Sequence, residues 1–152
     1  MRIKKKRVDE IHPTAIVEFE LTPSQRKQFL HGIELFNAQK FWEAHEAWEE
    51  VWKERIEDAR IFLQGLIQAA AALHLIVGGS RIGGAKRNFY KSVAKLSLFP
   101  PHFLGINVQQ FREDISNCVG LLADTGSNDN ENHQAKDLPK LFFSFSELSQ
   151  TS

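Results

Sequence analysis

The chain has 152 residues, 42% of them apolar and 25% charged, which fits one ordinary globular domain and excludes a disordered or fibrous chain. Nineteen basic residues balance nineteen acidic ones, so no global field points to nucleic acid or anionic lipid as a partner. The single cysteine, Cys118, rules out an internal disulfide and fits a reducing compartment; its apolar helical surroundings make it a buried, inert thiol.

The N-terminus is basic (Arg2, Lys4, Lys5, Lys6, Arg7) and leads into charged residues, so it reads as a solvated terminus and not as a signal peptide. The longest apolar stretch, 67–77, contains Gln68 and His74 and is too short to span a bilayer. These features predict a soluble cytoplasmic protein with neither a membrane nor a nucleic acid as partner. Residues 1–21 lack a helical period. Val17, Phe19 and Leu21 alternate with Glu18 and Glu20, which predicts an extended arm on the body.

A first helix should begin at Thr22-Pro23, a capping residue followed by a proline in the first turn, and run to about Ala38 with Phe29, Ile33, Leu35 and Phe36 inward. The short turn 37–40 favours an antiparallel neighbour. A second helix is expected over about 41–55, with Phe41, Ala44, His45, Trp48, Val51 and Trp52 in one stripe and Glu43, Glu46 and Glu50 in the next. A third, over about 58–77, is apolar nearly all round and so central; Gly78-Gly79 ends it. A fourth should start near 82–85 and run to about Leu98, before Pro100-Pro101. After a loop at 102–106, Asn107 caps a fifth over 108–122, with Phe111, Ile115, Cys118, Val119 and Leu122 inward. Residues 123–137 read as a flexible linker. Leu141, Phe142, Phe143, Phe145 and Leu148 in the tail would dock on the body or join two copies into a homo-oligomer. The expected fold class is all-α: about five helices in one bundle, with an arm over 1–21, a helical domain over 22–123 and a tail over 124–152.

The segment FWEAHEAWEEVW, Phe41 to Trp52, is the densest in chemistry: three tryptophans, one histidine and four glutamates. On the third helix Gln64, Gln68 and His74 interrupt an apolar surface. If the two helices pack antiparallel, His45 or Glu46 approaches Gln64, Gln68 or His74. Three readings follow. A divalent metal ion held by His45 and His74 would activate water for hydrolysis, with Glu46 as base. The spacing is imperfect, because Glu49 stands where a zinc-protease helix has its second histidine. Alternatively, His45 and Glu46 form a general acid–base pair in a pocket walled by Trp42, Trp48 or Trp52. In the third reading the His, Glu and Gln groups satisfy one another as a structural network in a non-catalytic interaction module. The Gly-rich segment 78–84 lacks the Gly-Lys-Ser/Thr ending of a phosphate loop and reads as a helix–helix turn.

The stretches LFNAQKFWEAHEAWEEVWK, FLQGLIQAAAALH and GGSRIGGAKRNF, in that order, resemble the domain of unknown function family numbered 309 (DUF309) over roughly residues 30–120. The resembling positions are Phe36-Asn37, Glu43 to Glu46, Trp52, Gly65 to Gln68, His74, and Gly84-Ala85. The resemblance implies an all-helical fold. It implies no established activity, although such proteins are sometimes labelled metal-dependent hydrolases. It adds weight to Glu43, His45, Glu46, Gln64, Gln68 and His74 as a group, with Trp52 as a binding residue. Gln39 stands where the family tends to have glycine and Gly79-Ser80 where it has Gly-Asn, so the first turn should differ slightly.

Overall fold

Thr22 starts the first helix, α1 (Pro23–Asn37), through a reciprocal cap: its hydroxyl accepts from the Gln25 N–H at 3.1 Å, and its own N–H donates to Gln25 Oε1 at 3.2 Å. The remaining helices are α2 (Phe41–Trp52), α3 (Asp58–Val77), α4 (Ile82–Leu96) and α5 (Val108–Thr125). This computed structural model describes residues 6–16, 20–78 and 82–125, with the backbone alone for Ile82 and residues 121–125. The expectations for Val17 and Phe19, for the inward side chain of Leu122, and for the aromatic tail from Leu141 to Leu148 lie outside the described residues.

The sequence period placed the helices within a few residues, and the differences have local causes. Helix α2 stops at Trp52 rather than near Arg55, and two turns over 53–55 carry the chain toward α3. The arm contains two single-turn 3-10 helices, Val8–Glu10 and Pro13–Ala15. The expected loop at 102–106 is a miniature hairpin, β1 (His102–Phe103) against β2 (Ile106–Asn107), turned by Leu104 and Gly105 at φ 50° and 79°. Asn107 caps α5 as its sequence position requires, accepting from the Gln110 N–H at 3.0 Å. Helix α5 persists to Thr125, past the point where the linker was expected.

Side-chain pairs fix the packing. Trp48 reaches Phe29, and Phe41 meets Phe36 with ring centroids 5.1 Å apart, so α1 and α2 are antiparallel. Trp42 meets His74 while Trp52 meets Arg60, so α2 and α3 are antiparallel too. Ser92 donates to the Gly65 carbonyl at 2.7 Å, which sets α4 against α3. The Phe36 and Phe111 rings, 5.5 Å apart, bring α5 back to α1. The Phe62, Phe99 and Phe103 rings lie 4.8–5.2 Å apart and pin the hairpin to the start of α3.

Helix α3 is the centre, with twelve residues from Asp58 to Leu73 buried. Its 20 residues are long and apolar enough to cross a membrane, which corrects the reading from 67–77 alone. The helix extends back to Asp58, and its apolar surface is covered by α2 and α4. Two glycines permit the close approaches. A Cβ on Gly32 would lie 2.3 Å from the Trp48 indole nitrogen, and one on Gly65 would lie 3.0 Å from Leu96.

Candidate functional site

The polar segment of α2 divides into an inner and an outer side. At 3.6 residues per turn, Ala44, Ala47, Trp48 and Val51 face the core, and all are buried. Trp48 is fully buried, and its indole N–H donates to the Phe29 carbonyl at 3.1 Å. The opposite side carries Trp42, Glu43, Glu46 and Glu50, all exposed, with Trp42 at 44%.

His45 sits at the edge between these sides, with its side chain 15% exposed. Its ring stacks on the Trp42 indole, with centroids 4.6 Å apart and planes within 10°. The exposed His74, near the end of α3, meets the same indole at 5.2 Å and 41°. The structure therefore brings His45 and His74 together through a tryptophan, at the seam expected from the antiparallel packing. His45 Nδ1 is buried without a hydrogen-bond partner, and Glu49 Oε2 stands 3.7 Å from it.

The other candidates go elsewhere. Glu46 points to solvent and so does not enter the α2–α3 seam as anticipated; Glu43 is exposed beside it. Gln68 turns to α4, where its Oε1 accepts from Lys95 Nζ at 2.9 Å. Gln64, half-buried, shares that helix face one turn earlier. Trp52 lies at the far end of α2, about 15 Å along the axis from Trp42. Its ring carries the Arg60 guanidinium at 4.8 Å, and its buried Nε1 has no hydrogen-bond partner. The three tryptophans expected as alternative pocket walls occupy different places: Trp42 the surface, Trp48 the core and Trp52 the end of α2.

A metal ion needs three or more donors aimed at one point. The imidazoles of His45 and His74 each lie against the Trp42 ring, and Glu46 faces away. Among the described residues, no three His, Cys, Asp or Glu side chains are grouped so as to hold an ion. The donor set does not fit a metal centre built on His45 and His74.

Sequence reading grouped Glu43, Glu46 and Glu50 in one stripe but missed that Trp42 stands exposed at its head. Glu43, Glu46, Glu50 and Glu54 follow one another at spacings of three and four along one helical line. The signal was the phase of Trp42 relative to Trp48: six residues apart, they cannot share a face. Between α1 and the end of this row lies an open groove of about 220 Å³ lined by Ser24, Gln25, Gln28, Glu50, Val51 and Glu54.

A search among curated proteins finds no match to the chain. The model of the family described as Domain of unknown function (DUF309) matches residues 29–96, from the middle of α1 to the end of α4. The chain thus resembles that family across the four helices that build the Trp42 surface and the core behind it.

Proposed function

We propose that this chain is a non-catalytic helical interaction module, and that the outer face of α2 docks a lysine- or arginine-bearing segment of a partner protein in the cytoplasm. The carrying observation is Trp42: a large indole, 44% exposed, at the head of a row of carboxylates. Water solvates carboxylates well and an indole poorly, so together they favour a ligand that is both cationic and flat or aliphatic. Arginine and lysine side chains meet that description, through cation–π contact with the ring and ion pairs with the flanking glutamates. His45, stacked on the indole, holds it upright. The polar groove beside Glu50 and Glu54 extends the surface toward α1.

Calorimetric titration with an arginine-rich peptide tests this. Wild type should bind, Trp42→Ala should bind at least about tenfold more weakly, and Glu43→Gln/Glu46→Gln should lose most of the salt dependence. Unchanged affinity in both variants would refute the proposal. The hydrolase reading is tested by metal analysis of protein purified without tag or chelator. Stoichiometric metal that disappears in a folded His45→Ala variant would replace docking by metal-assisted hydrolysis.

A further inference from the structure

The even charge balance of the chain conceals a segregation. From Ala59 to Arg112 there is no Asp or Glu, yet there are seven Lys or Arg, four of them on α4: Lys86, Arg87, Lys91 and Lys95. Helices α2 and α4 flank α3, so the acidic and basic surfaces belong to different sides of the molecule. Around α4, the inward positions Ala85, Phe89, Ser92 and Leu96 are buried, and Arg87, Tyr90, Lys91 and Ala94 are exposed. Tyr90 is 60% exposed, more than any other large apolar or aromatic side chain on the described surface.

The geometry points to single-stranded nucleic acid as the ligand of this face, with phosphates on Lys86, Arg87 and Lys91 and a base stacked on Tyr90. Three further observations support it. Among the described residues none of the four α4 cations pairs with a carboxylate, whereas Lys6, Lys53 and Arg55 each do. Lys95 donates to a neutral amide, Gln68, and its pKa is lowered first by burial and then by the like charge of Lys91. Beside Tyr90, one turn on at Val93, opens a groove of about 490 Å³ between α4 and α5. Gln109, Asn117, Ser116 and Arg112 line it with donors and acceptors suited to base edges, and Glu113 there can accept from an exocyclic amino group. A positively charged track with an aromatic side chain beside it is how sequence-tolerant single-strand binders work. Duplexes keep their base faces stacked inside, so a single exposed tyrosine selects for strands whose bases are free.

The test is fluorescence anisotropy of a labelled 12-nucleotide RNA, and of DNA of the same sequence, with the full chain. Binding at 50 mM salt should weaken about 20–50-fold at 200 mM, as for three or four neutralised phosphates on a single strand. Tyr90→Ala should weaken it about tenfold by loss of stacking, and Arg87→Glu/Lys91→Glu should abolish it. Glu43→Gln/Glu46→Gln raises the net charge by two on the other flank and should leave the affinity unchanged, which separates a local site from general electrostatics. The substituted side chains are exposed, and an unchanged helical circular dichroism spectrum checks that each variant is folded. Preference for RNA or for DNA fixes the sugar, and either supports the site. No binding at 50 mM salt overturns the inference. So does wild-type affinity in both α4 variants, preference for duplex, or tighter binding of a polyglutamate peptide, which would make α4 a protein-docking face.

Discussion

Trp48 and Trp42 occupy the same helix, six residues apart, and meet opposite fates. Trp48 fills the seam between α1 and α2, fully buried, with its N–H satisfied by the Phe29 carbonyl and its ring over Gly32. Trp42 stands in the open with His45 and His74 against it and carboxylates around it. The inner tryptophan is held by shape: the glycine removes the one Cβ that would obstruct it. The outer one has no such enclosure, and its exposure costs solvation that packing does not offset. An exposed indole is thus informative about function, and a buried one about stability.

The largest effect should come from removing the inner ring. Trp48→Ala is expected to cost about 3–5 kcal/mol in chemical denaturation, from the cavity and the lost hydrogen bond to the Phe29 carbonyl. Trp42→Ala should change stability by no more than about 0.5 kcal/mol. Equal losses at the two positions would break the distinction. Gly32→Ala should follow, at about 1–3 kcal/mol or more, because the new methyl meets a ring fixed on all sides. If Gly32→Ala proves neutral, the seam is looser than these contacts imply.

Cys118 extends the contrast to reactivity. Burial pushes its thiol from the ordinary 9.0 up to about 11, so at neutral pH it is protonated and shielded. Thiol reagents should modify it slowly in the folded protein and rapidly in denaturant, as a kinetic assay would read. Because the folded pKa is the higher one, this group's contribution to stability is complete below pH 9 and is lost as pH rises toward 11. A Cys118→Ala variant should show a shallower alkaline fall in melting temperature. A small gain is expected at Gln39, whose φ of 65° lies in the left-handed region. Gln39→Gly should raise stability by about 0.5–1 kcal/mol, the relieved strain less the added chain entropy.

The turn at Gln39 shows how far a sequence carries. The family resemblance marks the position as one where glycine is common, and the chain holds glutamine there at φ 65°, in the left-handed region. The helices were legible because they rest on local physics: a Thr-Pro start, apolar residues every three or four positions, a Gly or Pro stop. The hairpin at 102–107 was not, since its two-residue strands carry no period. Its order comes from Phe103 packing against Phe62 and Phe99, partners distant in sequence.

The candidate site divides the same way. The amino-acid sequence by itself determined which residues lie on which helix, and hence that His45 or Glu46 would approach Gln64, Gln68 or His74 if α2 and α3 ran antiparallel. Only the tertiary structure decided what lies against them. The phase of α2 about its own axis, set by Trp48 docking on Gly32, turns Trp42 outward and lays it against both imidazoles, and turns Glu46 to solvent. Rotational phase is decided by which side of the helix buries best against its neighbours, a sum over long-range contacts that local spacing does not encode.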